Sequence, residues 1–278
     1  MIDIAVIASL AHLDDVAARG SIGMALTHLA LRYPRYAGHY AAQAAVGRTV
    51  ILDNSAYELE DTLGTGMGAE PVMTAARLTG AAEVICTDVP YDGPATIAAT
   101  RRFLAQAGDL AGSARFMAVP QGSTRKEWLA CCDTLTALPG VHSIGISKLS
   151  VPRCWNAGLA AARLACVAEL HRHGTPPKPL HLLGGDGCLP AELRAHRDRG
   201  HSAVRSNDSS TAFWYARLGI PLDAASCQMA APAPPRPDLE STRLTAAQLT
   251  AAQADIMMIR EAAGLPSRHA AQTGEPRA

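Results

Sequence analysis

Short runs of Val, Ile and Leu recur along the chain and alternate with longer stretches whose apolar residues fall at helical spacing. Seven runs read as strands, at 3–9, 48–52, 83–87, 115–119, 141–146, 179–183 and 202–206. The segments 34–46, 71–79, 94–107, 124–137, 155–173, 190–199 and 209–218 read as helices, and several open on Pro, Ser or Thr, which suit a first turn. Apolar strands that alternate with helices imply a parallel sheet covered by helices. An eighth strand drawn from residues 22–28 (IGMALTH) completes a (β/α)8 TIM-type barrel. A doubly wound sheet would carry a Gly-rich loop after its first strand, and ASLAHLDD is not one. The barrel is therefore the expected fold.

The barrel is expected to span residues 1–223. Composition then shifts to a Pro/Ala-rich linker over 224–243, stiffest at APAPPRP (231–237). Residues 244–264 read as one amphipathic C-terminal helix docked on the outside of the barrel, and 265–278 as a polar tail without fixed structure.

Composition narrows the function classes. Apolar residues make up 48% of the 278-residue chain and charged residues 18%, which describes a globular protein with a large core. The 25 basic and 25 acidic residues cancel, so no general attraction to polyanions is written into the chain. A nucleic-acid contact would need a local patch. The densest is Arg194, Arg197, Arg199 and Arg205, which reads equally as a solvated helix face. Seven scattered cysteines without a CxxC pair argue against a zinc knuckle or disulfide framework, so no metal and no cofactor is expected. With no leader-like N-terminus and no apolar stretch of membrane length, a cytoplasmic location and no membrane partner are expected.

Candidate chemistry gathers where the chain leaves its strands. Asp53, Asp88, Asp186 and Asp208 each stand at such an exit, although aspartate is a poor strand residue and seldom buried without a partner. Active sites of parallel barrels sit at that end. Asp208, in RSNDSS ahead of a helical run, reads either as a helix N-cap or as a nucleophilic carboxylate. In LDNSAYE, Asn54 helps keep the turn tight, and Tyr57 could stack on a planar ligand or cap the core. Gln121, followed by Gly122, offers an amide that reads donor and acceptor on a flat heterocycle. Gly145 in IGISKLS and Gly184 in HLLGGDG are places where bare backbone can approach a ligand. Lys148 could form a Schiff base with a carbonyl substrate, or be solvated or contact phosphate.

Taken in order, these segments resemble the tRNA-guanine transglycosylases, and more closely the short phage-type members that insert 7-deazaguanines into DNA. The resemblance runs from about residue 47 to 218. LDNSAYE resembles the family's Asp-Ser-Gly-Gly-Tyr segment, which implies Asp53 as general acid/base and Tyr57 as the stacking residue. TDVPYD resembles the segment with a base-recognising aspartate, here Asp88, and VPQGS resembles the Gln-Gly motif. IGISKLS takes the place of the glycine-rich recognition loop, with Lys148 where the tRNA enzymes have an apolar residue. HLLGGDG resembles the neighbouring His-Tyr-Leu-Met-Gly segment, and RSNDSS puts Asp208 in the nucleophile's place. The family's zinc site after the nucleophile has no counterpart, and its Pro-Thr-Arg becomes Ser-Thr-Ala. The resemblance implies exchange of guanine in DNA, or less readily tRNA, for a free 7-deazaguanine base through a covalent aspartyl intermediate. A barrel that binds a nucleobase or nucleic acid without turnover, and a Schiff-base lyase built on Lys148, are the alternatives. Oligomeric state is not written in the sequence.

Overall fold

The computed structural model of the protein describes residues 1–107, 114–172, 178–227 and 238–266, with residues 60–63 described for their backbone only. The expected linker core at 231–237 and most of the expected tail, from 267 on, lie outside the described residues. Eight parallel strands form a nearly closed barrel: β1 (Asp3–Val6), β2 (Gly23–Leu26), β3 (Val50–Asp53), β4 (Glu83–Ile85), β5 (Arg115–Ala118), β6 (Val141–Ile146), β7 (Leu180–Leu182) and β8 (Val204–Ser209). From β2 to β8 each strand pairs with the next, and β8 returns to β1 with Ala5 opposite Asp208. Between β1 and β2 a single bridge, Ala5 to Ile22, stands at the seam. Ser21 tightens it, its hydroxyl accepting from the Ile4 amide at 2.9 Å. The seam is narrow because β1 is followed by two short 3-10 turns rather than a covering helix.

The outer layer consists of α1 (Thr27–Arg32), α2 (Pro34–Ala45), α3 (Ala56–Leu63), α4 (Ala69–Thr79), α5 (Gly93–Ala107), α6 (Arg125–Ala137), α7 (Ser150–Trp155), α8 (Leu159–Arg172), α9 (Leu189–Asp198), α10 (Thr211–Leu218) and α11 (Ala246–Ala263). The segment expected as one helix over 155–173 is two. The turn at Asn156, in the left-handed region at φ 48°, ends α7 before α8 begins. β8 also runs further than its apolar part, because Ser206, Asn207, Asp208 and Ser209 remain paired with β1. Asp208 is thus a strand residue, and Ser210 takes the N-cap position of α10 that Asp208 could have held.

Helix α11 packs on α9 and α10. A capping box opens it, Thr245 accepting from the Gln248 amide while the Gln248 carboxamide oxygen accepts from the Thr245 amide. It also closes the bottom of the barrel, since the Ala263 carbonyl accepts from the Ile2 amide at 2.9 Å. The described chain on either side of 228–237 is docked rather than free. The Leu10 amide donates to the Leu239 carbonyl, and Glu240 accepts from both Arg32 and Tyr33. Among the described residues no helix is long and apolar enough to cross a membrane.

Ile256 is fully buried and belongs to the same apolar core as the barrel strands. Ile256→Ala should cost about 2–4 kcal/mol of stability in urea unfolding, with barrel and helix still melting in one transition. A separate early transition for α11 would show that it is only appended.

Candidate active site

At the C-terminal end of the barrel lies a cavity of about 790 Å³, open solvent at its mouth included. Ile7, Leu26, Ile85, Val119 and Leu183 give it an apolar lining, and Leu239 from the docked C-terminal segment joins them. Four carboxylates face it: Asp53, Glu58, Asp88 and Asp208. They arrive from β3, its following helix α3, the β4 loop and β8, so the barrel's closure itself brings them together.

Asp53 ends β3 at a tight turn. Its Oδ1 accepts from the Ser55 amide at 2.5 Å, and Ser55 adopts φ 60°, which a non-glycine residue rarely holds. The conformation is sustained from outside: the buried Ser55 hydroxyl lies 2.8 Å from His28 Nδ1, and the Thr27 hydroxyl donates to the Asp53 carbonyl at 2.6 Å. Burial, then the Glu58 carboxylate, then that of Asp208 push the Asp53 carboxyl well above the usual carboxylate range, against the pull of the Ser55 amide. These surroundings favour its protonated form.

Asp208 has a different setting. Its Oδ1 is an acceptor for His181 Nε2 at 3.0 Å and for the Gly184 amide at 3.1 Å. His181 is fully buried in β7, and its Nδ1 lies 2.7 Å from the Ser206 hydroxyl. With the proton on Nε2 the chain runs from the Ser206 hydroxyl to His181 to Asp208. The serine lies at the inner end, so the aspartate is the group this relay offers to the cavity. The Gly184 amide shares its peptide plane with the Leu183 carbonyl, and bonds to that carbonyl and to the next one fix the turn. The Gly184 carbonyl accepts from Arg163 at 3.0 Å and from Asn207 at 2.9 Å, and Arg163 also donates to the Leu183 carbonyl.

Asp88 is held by two amides. Asn54 donates to its Oδ1 at 2.7 Å and Gln121 donates to its Oδ2 at 2.6 Å, while the Gln121 oxygen accepts from the Tyr91 amide. Burial pushes the Asp88 carboxyl up, and these two side chains pull it back. The result is one polar strip across the ends of β3, β4 and β5. In the same cavity, Lys148 Nζ lies 3.6 Å from the centre of the Tyr57 ring. Among the described residues, no three His, Cys, Asp or Glu side chains converge as metal ligands would.

Asp53, Asn54, Tyr57, Asp88, Gln121, Lys148, Gly184 and Asp208 therefore share one cavity. Three expected participants do not. A Cβ on Gly145 would meet Leu183 Cδ1 at 2.7 Å, so that glycine lies beneath Leu183 and Val119, which cover it from the cavity. Gly122 packs against the first turn of α6, where a Cβ would sit 2.7 Å from the Trp128 amide nitrogen. Asp186 accepts from the Cys188 amide in the turn that enters α9. The arginine patch is also misplaced for this cavity. Helix α9 runs back toward the other end of the barrel, and Arg194, Arg197 and Arg205 are tied to the Ala224 and Ala262 carbonyls and to Glu83. The residues not anticipated are His181, Glu58 and Leu239. His181 had a signal, a histidine centred in an apolar β7 run.

An aspartate kept neutral by its surroundings destabilises the fold wherever the unfolded chain would ionise it. Both states are protonated below the unfolded value of about 3.9, so the cost is absent there and grows as pH rises above it. Asp53→Asn should accordingly leave melting near pH 4 almost unchanged and raise it at about pH 7.5. An equal effect at both pH values would mean that Asp53 ionises normally.

No protein-family model matches the chain, and no curated protein matches it, so its function must be inferred from the cavity itself.

Proposed function

We propose that the protein is a base-exchange transglycosylase. It replaces guanine in a polynucleotide, DNA in preference to tRNA, with a 7-deazaguanine. The observation that carries this is the shared cavity of Asp53 and Asp208, two carboxylates whose surroundings give them different roles. Such pairs mark glycosyl-transfer chemistry, in which one acid protonates the leaving group and the other carboxylate attacks the sugar.

Asp208 attacks C1′ of the target nucleoside. The C1′–N9 bond breaks, its electron pair leaves with guanine, and the departing base takes the Asp53 proton. The incoming base then returns a proton from its ring nitrogen to Asp53 as that nitrogen attacks C1′ and releases Asp208. His181 and the Gly184 amide hold Oδ1 throughout, and among the described residues no hydrogen bond engages Oδ2, the oxygen available to attack. The target nucleotide must leave its stack to reach the cavity. Asp88 and Gln121 would read the polar edge of the ring, and Tyr57 its face.

Local geometry supports the same assignment. Ser55 holds its left-handed φ at the position where the resembled Asp-Ser-Gly-Gly-Tyr segment has glycine, so the turn that presents the general acid is kept although the residue is not.

Two variants test the proposal. Incubated with labelled guanine and either DNA or tRNA, the wild type should incorporate label into DNA and yield a covalent protein–DNA adduct under denaturing conditions. Asp208→Ala should lose both by about a thousandfold or more, while Asp53→Asn slows exchange by about a hundredfold or more. A covalent adduct in Asp208→Ala would remove Asp208 as nucleophile. Tight base binding by the wild type without any exchange would leave a non-catalytic binding barrel.

A further inference from the structure

Lys148 is the one lysine or arginine among the described residues lining the cavity, against four carboxylates. Its position is constrained at both ends. The stem crosses Gly184, where a Cβ would come within 2.5 Å of Lys148 Cδ, so only a glycine leaves it that path. The ammonium lies over the Tyr57 ring at 3.6 Å from its centre, the separation at which a flat heterocycle would stack there. A base entering over Tyr57 must therefore displace the ammonium from the ring face to the ring's edge.

We propose that Lys148 selects the base, accepting one whose outer edge presents a lone pair or negative charge and rejecting one that presents an ammonium. This rests on the transglycosylase function proposed above and specifies its substrate. An ammonium has three donors and no acceptor. Guanine meets it with the O6 and N7 lone pairs. A 7-deazaguanine has carbon at position 7, so it regains a partner there only through a substituent such as a nitrile, carboxamide or carboxylate. An aminomethyl substituent, charged at neutral pH, meets like charge in a confined site. Asp88 and Gln121, which also line the cavity, are left to read the donor edge.

The test uses 7-deazaguanines bearing a nitrile, a carboxylate or an aminomethyl group at C7. Each is measured by equilibrium binding and by its ability to displace labelled guanine from DNA. Wild-type protein should favour the nitrile and carboxylate over the aminomethyl base by about tenfold or more. Lys148→Met should level the three, Lys148→Glu should reverse their order, and Lys148→Arg should keep it. Ratios within each variant cancel any general loss of activity or folding. Equal treatment of the three bases by the wild type, or an unchanged order in Lys148→Glu, overturns the role of Lys148. Binding in the expected order without guanine displacement overturns the transglycosylase function and leaves the selection standing. No binding of any of the three overturns both.

Discussion

Carboxylates buried close together oppose one another's ionisation, and that constraint organises the C-terminal end of this barrel. Burial, then the neighbouring Glu58 and Asp208 carboxylates, push the Asp53 carboxyl well above the usual range and favour its protonated form. Asp88 meets a similar cost through two donated amide hydrogen bonds. Asp208 has an imidazole and a backbone amide. Three aspartates of one chemistry thus sit in three different settings, and under the proposed function these become an acid, a fixed acceptor and a nucleophile.

The partners that enforce these roles lie deeper. Arg163 and Glu192 are both fully buried, 3.4 Å apart, and Arg163 holds two carbonyls of the β7 exit. A buried ion pair is weak evidence for stability, since replacing it by apolar residues often costs nothing. Its use here is orientation, because the peptide it grips turns the Gly184 amide toward Asp208. The same glycine, at φ 70°, leaves room for Lys148. One residue therefore touches both Asp208 and Lys148.

Much of the fold was legible because parallel strands buried on both faces are continuous apolar runs, which polar loops cannot imitate. β8 was legible only in part, since Ser206 to Ser209 are polar yet stay in the sheet to line the cavity or support it. Helix α3 was hidden because AYELEDTL follows a turn whose small residues read as loop. At the site, the aspartates stood out because each breaks the rule for its position. His181 did not, because its meaning lies in a contact with Asp208, 27 residues away. Gly145 and Gly122 misled because a glycine required by packing looks the same in sequence as one required by a ligand.

The account stands on Asp53 holding its proton to higher pH than an ordinary carboxylate. Carbon-13 NMR of carboxyl-labelled aspartates, with Asp53 assigned by its disappearance in Asp53→Asn, observes that proton directly. The Asp53 carboxyl carbon should keep the shift of a protonated acid through neutral pH, long after the surface aspartates have titrated. Titration of that signal alongside them, near pH 4, would contradict the account.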